Sequence, residues 1–378
     1  MILTQCAVCA TELGLSLGKK CGRCSTRYCG PECQKQHWQE GGHDKLCKKI
    51  KKTGGAEQYN ANTKYSEAVA AAVEECADDT KGQTCYICTQ PLHWKTKEGL
   101  VRGCSCRGTS GFAHVSCLAE QAKILVAEAE ENNLGLKAKN ERWRQWYSCS
   151  LCEQKYHGVV RCALGWVCWK TYVGRGEGDA LWRMAMNLLG LGLYEASRFE
   201  EAVAVRETEF SMERRLNRSE KSILVVQGNL AGTYHMLGRL EQASSMYRDV
   251  YAGMVRLYGE EQEETLRAAY NYALSLNALL HFKEAKSLLR KMTPVAQRVL
   301  GENIETTLRM KWTYAQSLYK DPDATLDDVR EAVETLEDAD RIARRVLGGA
   351  HPITARMEGT LQKARANLRA RKASPVNS

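Results

Sequence analysis

The chain has 378 residues, 44% of them hydrophobic and 26% charged, with six prolines and a formal charge of +9. At about 150 residues per domain this length suggests two to four domains. No run reaches the roughly 18 apolar residues that a membrane-spanning helix needs, and Met1–Gln5 lead to Cys6 without the basic and apolar regions of a signal peptide. The expected location is therefore intracellular, cytoplasmic or nuclear, where thiols stay reduced and clustered cysteines bind metal rather than pair.

Of the 17 cysteines, 15 precede residue 160 and 14 fall into two patterns. The first runs Cys6-x2-Cys9, Cys21-x2-Cys24, Cys29-x3-Cys33 and His43-x3-Cys47. A two-residue spacer forms a tight knuckle that aims both sulfurs at one Zn2+, roughly 2.3 Å away. Three-residue spacers suit helical turns, because residues i and i+4 share a face. His37 also lies near the site; His43 closes the motif, and His37 is the alternative ligand.

The strings CAVC and CGRCSTRYCGPECQKQHWQEGGHDKLC resemble a MYND finger over residues 6–47. The resemblance implies alternating pairing, with Cys6, Cys9, Cys29 and Cys33 on one zinc and Cys21, Cys24, His43 and Cys47 on the other. It also implies a peptide-binding module in which Gln34 and Trp38 make the contacts. The alternative for Trp38 is a hydrophobic plug in a domain too small for a core of its own.

Residues 48–84 read as a polar linker with a short helix in YSEAVAAAVEEC. Lys45, Lys48, Lys49, Lys51 and Lys52 read as its solvated face rather than a phosphate-contact tract.

The second pattern, in a module spanning 85–158, is Cys85-x2-Cys88, Cys104-x-Cys106, His114-x2-Cys117 and Cys149-x2-Cys152. With CSCRGTSGFAHVSCL at its centre it resembles a RING-CH finger. That family's cross-brace implies Cys85, Cys88, His114 and Cys117 on one zinc and Cys104, Cys106, Cys149 and Cys152 on the other. It further implies docking of a ubiquitin-conjugating enzyme (E2), with Ile87 and Trp146 as contacts; the alternatives are a zinc cover and a packed floor. Glu153 stands where active members often carry Arg or Lys. The interval from Cys117 to Cys149 is long and predicts a helix over Glu120–Glu131.

Both modules supply four protein ligands per ion, so the four expected zincs are structural and no catalytic residue is expected. Fourteen thiolates and four Zn2+ lower the formal charge by six, to +3, which argues against nucleic acid as a partner.

Residues 159–179 read as a connecting segment, with Cys162 and Cys168 as buried small hydrophobes. His93 and His157 read as surface residues. Beyond residue 180 a 42-residue period appears: Asn229 and Asn271, Tyr258-Gly259-Glu260 and Leu300-Gly301-Glu302, Thr265 and Thr307. A period near 40 with two helices per unit implies an α-solenoid. The LGxxHPxT ending resembles tetratricopeptide (TPR) repeats of the kinesin-light-chain type. Four units and a capping helix over Ile353–Lys372 are expected within 180–372. The resemblance implies a groove for extended peptides. Asn229 and Asn271 would bond a peptide backbone there, unless they satisfy neighbouring helices.

The expected fold is mainly α: two small cross-braced zinc fingers followed by TPR-like helix pairs. The expected function is a zinc-binding multi-domain protein and candidate RING-type E3 ubiquitin ligase. It would recruit a charged E2 through the RING-CH finger and client proteins through the other modules. The alternative is a non-catalytic zinc-binding scaffold.

Overall fold

A computed structural model describes residues 4–11, 13–14, 17–349 and 352–373. The chain divides after Leu216 into two compact units. No helix of the described residues is long and apolar enough to cross a membrane.

The first unit begins with a two-stranded antiparallel ribbon, β1 (Lys19–Lys20) and β2 (Arg27–Tyr28), then α1 (Pro31–Gln39), α2 (His43–Lys52) and α3 (Ala56–Glu75). The α2 helix continues past Cys47 into the lysine run, so those side chains stand on a helix whose Cys47 and His43 are buried, not on a linker. The linker reading of 48–84 is also corrected by α3. Its 20 residues bury Ala61, Tyr65, Ala68, Val69 and Ala72, at positions i, i+4, i+7, i+8 and i+11 of one face. Most of that stripe is alanine, which is why it reads as weakly apolar in sequence.

Next come α4 (Val115–Glu131), α5 (Leu136–Trp143), a 3-10 turn at Arg144–Trp146, and α6 (Gly158–Tyr172). The helix expected over Glu120–Glu131 starts five residues earlier, on the last pair of ligands of its zinc site. Far from being a connection, α6 is the centre of the unit: Val160 to Trp169 are all buried, along with Tyr172. A helix apolar on every side is stable only when surrounded, and α3 packs on one side of it while α7 (Ala180–Glu195) packs on another. Glycines set the closeness of that second contact. A Cβ on Gly192 would lie 2.8 Å from the Arg161 carbonyl oxygen, and one on Gly165 would lie 3.1 Å from the Leu189 Cα.

With α8 (Phe199–Arg215), these helices and residues 85–156 of the second finger share one apolar core. The expected boundaries at 158/159 and 179/180 therefore do not separate compact bodies; the division at Leu216 does.

The second unit pairs α9 (Glu220–Met236) with α10 (Leu240–Tyr258), α11 (Glu263–Ala278) with α12 (Phe282–Val299), and α13 (Glu305–Tyr319) with α14 (Leu326–Val346). A last helix, α15 (Pro352–Ala373), packs on α14 and α13. The period is visible in its turns. Gly259, Gly301 and Gly348 follow helix ends at φ of 78°, 97° and 88°, where a side chain would be strained. Thr265 and Thr307, 42 apart and fully buried, each donate to the preceding helix, at Met254 O (3.3 Å) and Ala296 O (3.4 Å).

Candidate metal centres and their surfaces

The four metal sites rest on one local device. Cys6, Cys21, Cys85 and Cys149 each take a carbonyl five residues on: Thr11 O (2.8 Å), Thr26 O (2.7 Å), Gln90 O (3.1 Å) and Gln154 O (2.9 Å). Each then accepts, at its own carbonyl, the N–H four residues ahead, from Ala10, Ser25, Thr89 and Glu153. Those four residues have φ of 56°, 63°, 61° and 58°. Each stands directly after the second cysteine of its knuckle, so Glu153 occupies a required left-handed turn. The same turn occurs a fifth time without cysteine. His93 N–H donates to Glu98 O, Lys97 N–H to His93 O, and Lys97 has φ 58°. Here Thr96 Oγ1 lies 2.8 Å from His93 Nδ1, closing the loop as a metal closes the others. His93 is thus buried against His114, contrary to its surface reading, and only the backbone reveals the kinship.

The donor atoms meet in four groups, each within 4.8 Å: Cys6, Cys9, Cys29 and Cys33; Cys21, Cys24, His43 and Cys47; Cys85, Cys88, His114 and Cys117; Cys104, Cys106, Cys149 and Cys152. Ligand arms near 2.3 Å give a tetrahedral edge of about 3.8 Å between sulfurs. The observed sulfur separations lie at or somewhat below that edge: Cys21 to Cys47 and Cys106 to Cys149 are both 3.8 Å and Cys33 to Cys9 is 3.7 Å, while Cys9 to Cys29 is 3.5 Å and Cys29 to Cys33 is 3.4 Å. The shorter Zn–N bond predicts a slightly smaller edge. Cys24 Sγ to His43 Nε2 is 3.4 Å, and Cys117 Sγ to His114 Nδ1 is 3.6 Å.

His43, not His37, enters the second cluster; His37 instead places Nδ1 3.0 Å from the Tyr28 hydroxyl.

Ionisation also calls for a cation. The Thr11 hydroxyl and N–H lower Cys9 to about 6. Cys29, with burial second, pushes Cys33 to about 12. Burial, with Cys24 and Cys21, pushes Cys47 to about 12. Clustered thiols cannot all ionise alone, whereas a divalent ion at the centre stabilises every thiolate. All four donors of each set come from the protein, so the zincs hold structure and leave no position for substrate.

The surfaces divide differently from expectation. Trp146 has 0% exposure and packs against Trp143 and Tyr172, so it belongs to the core and is not an E2 contact. Ile87 is 37% exposed at the tip of the first knuckle. Sequence reasoning missed Leu151, 52% exposed at the equivalent position of the last knuckle. The Tyr86 hydroxyl lies 3.2 Å from Ser150 Oγ, bringing these two tips together. The signal was available: both apolar residues sit between the paired cysteines.

On the first finger Trp38 is 42% exposed, with its ring edge-on to His43, and Gln34 on the same helix is half-buried. Asn229 and Asn271 are half-buried on α9 and α11. Asn187, another 42 residues back, is tied to Glu209 (3.0 Å).

Together these features define a zinc-binding, protein-interaction protein with two finger modules and a helical repeat array. Comparison supports each part: residues 6–47 match the MYND finger, 85–152 the RING-variant domain, and 222–298 the tetratricopeptide repeat. No curated protein matches the chain. Among solved structures it is similar to a Podosopora anserina kinesin light chain with nearly identical TPR-like repeats. That match has 22% identity and a TM-score of 0.40, covering 52% of this chain and 97% of the other. BtubC (BKLC) from P. vanneervenii matches at 12% identity and a TM-score of 0.37, covering 70% and 93%.

Proposed function

We propose that the protein is a RING-type E3 ubiquitin ligase acting by proximity. The RING-variant finger would receive a charged E2, and the MYND finger and helix pairs would hold a client. The observation that carries this reading is the apolar pair Ile87 and Leu151, exposed on neighbouring knuckle tips of a rigid, metal-braced module. In the transfer a client lysine amine attacks the thioester carbonyl, an isopeptide bond forms, and the E2 cysteine leaves as thiolate. The ligase forms no covalent bond; it supplies orientation and effective concentration. Such a reaction would belong in the cytoplasm or nucleus.

The test is discharge of ubiquitin from a panel of charged E2 enzymes by the zinc-replete chain, compared with Ile87→Ala and Leu151→Ala. Faster discharge that either substitution cuts at least tenfold would establish the ligase and its docking surface. A second reading, a non-catalytic zinc scaffold, draws support from Glu153. Its exposed carboxylate stands on the turn after the last cysteine, where a cation would be wanted. No acceleration across the panel would select it.

A further inference from the structure

A cleft of about 650 Å³ opens within the first unit between α3, the end of α6 and the segment 96–99. Its apolar wall is one edge of α3, where Tyr65, Val69, Ala70 and Val73 follow one another at helical spacing. Its polar end holds Lys170, near the end of α6, whose Nζ lies 4.5 Å from the centre of the Tyr65 ring. Gln58 ties this end together, donating from Nε2 to the Lys170 carbonyl (3.0 Å) and to Asn62 Oδ1 (3.3 Å). At the other end Gly99 backs onto Val73. A Cβ on Gly99 would lie 2.7 Å from Val73 Cγ1, and both residues also line a second hollow beyond. From Asn62 to Val73 the wall is about 16 Å long at the helical rise per residue.

The polar groups of the cleft are unequally matched. Glu98 is engaged with α4: Oε1 takes the Ser116 N–H (2.6 Å) and Oε2 the Ser116 hydroxyl (2.8 Å), which also meets the Tyr65 hydroxyl (3.0 Å). It thereby satisfies a free N–H of the first helical turn from outside the helix. Lys170 has no carboxylate within ion-pair reach among the described residues, and Asn62 Nδ2 has no partner there either. A ring face attracts a cation but leaves its N–H donors unfilled. Burial holds the Lys170 ammonium below its ordinary range, against the charge of Glu98. Glu74 and Lys97, both exposed, add one charge of each sign.

We propose that this cleft binds a small organic carboxylate with an apolar body, its carboxylate held by Lys170 and Asn62 and its body laid along Val69, Ala70 and Val73. Small-ligand sites enclose roughly 300–1,000 Å³, mostly apolar with a few converging polar groups, and the cleft matches that description. The donors select an anion, because an ammonium and an amide N–H stand unfilled while the neighbouring carboxylate is already engaged. The contact of Gly99 with Val73 limits the occupant's length, which disfavours a peptide running through in both directions. The wall and the cation both lie outside the matched fingers and repeats, so neither finger carries the site alone.

The probe is octanoate, titrated by isothermal calorimetry into the full zinc-replete chain, beside acetate, octylamine and an apolar pentapeptide with a free C-terminus. Octanoate is expected to bind at least tenfold more tightly than acetate or octylamine. Lys170→Gln should weaken octanoate at least tenfold. Ala70→Trp, which fills the cleft from an exposed helix position, should abolish its binding. Lys64→Gln, elsewhere on α3, should leave it within twofold. Circular dichroism melting and zinc content check that each variant folds, and Ala70→Trp decides the matter if Lys170→Gln does not. Octylamine binding as tightly as octanoate, or octanoate binding unchanged in Lys170→Gln, would overturn the anion end. Absence of saturable octanoate binding, or its survival in Ala70→Trp, would overturn the site. Tighter binding of the pentapeptide than of octanoate, lost in Lys170→Gln, would reassign the cleft to a protein C-terminus.

Discussion

The two units reach stability by different means. The first is built around chelation: its four donor sets gather ligands up to 48 residues apart, from Cys104 to Cys152. Between these sets the chain needs helices such as α3 and α6 to enclose a core of tryptophans. The second unit has no donor set among its described residues and relies on a repeated helix pair, buried threonines and ion pairs on its outer helices. Each of its pairs packs mainly on the next, so stability accumulates along the array. The contrast shows that one chain can carry a metal-dependent half and a metal-independent half, with different failure modes.

Removing metal is the sharpest way to break that contrast. Structural zinc contributes about 10 kcal/mol or more per site in small fingers, so chelation should collapse both fingers while α9 to α15 stay helical. Elemental analysis should give four Zn2+ per chain before chelation, and circular dichroism should then retain the helical signal of the second unit. Two or fewer zincs in a folded, fully metallated sample would defeat the ligand sets described above.

Trp146→Ala comes next. Loss of a fully buried indole should destabilise the first unit by about 3–5 kcal/mol, whereas Leu151→Ala should cost about 0.5 kcal/mol or less. Urea melts of the two variants would decide whether Trp146 is core and Leu151 is surface. Gly192→Ala should also destabilise this unit, by about 1–3 kcal/mol, since its Cβ would press on the Arg161 carbonyl of α6. An unchanged melting midpoint would mean the two helices have room to part.

The smallest effect lies in the second unit. Thr325 and Asp328 form a reciprocal cap at the start of α14, and Thr325→Ala should cost about 1 kcal/mol. Although burial opposes it, the bond to Lys286 holds the Asp328 carboxyl down at about 2, against an ordinary value of 3.8. A depressed carboxyl stabilises the fold above its unfolded value and loses that contribution as pH falls through its folded value. Asp328→Asn should therefore lower the midpoint at pH 6, and the difference from the parent should shrink between about pH 4 and pH 2. A constant difference over that range would remove Asp328 as its source.

Much of this was legible from residue order. Knuckles, ligand sets and the 42-residue period are local or periodic, and each depends on residue types at fixed spacing: paired cysteines, a turn glycine, a buried threonine. The left-handed residue after each knuckle follows from the same local geometry. What escaped was whatever depended on distant neighbours. Trp146 stands just ahead of a cysteine pair, as a surface contact might, but its burial is decided by Trp143 and Tyr172. His93 lacked a metal-spaced partner and became the closing residue of a metal-free knuckle through Thr96.

The sequence by itself determined which side chains bind zinc in kind and where helices repeat, because chelation and helical periodicity are set by short-range covalent spacing. Only the tertiary structure decided that α3 and α6 are core and not linkers, and that the knuckles carrying Ile87 and Leu151 meet through Tyr86 and Ser150. Burial and charge proximity depend on which distant segments pack, and no local pattern specifies that packing.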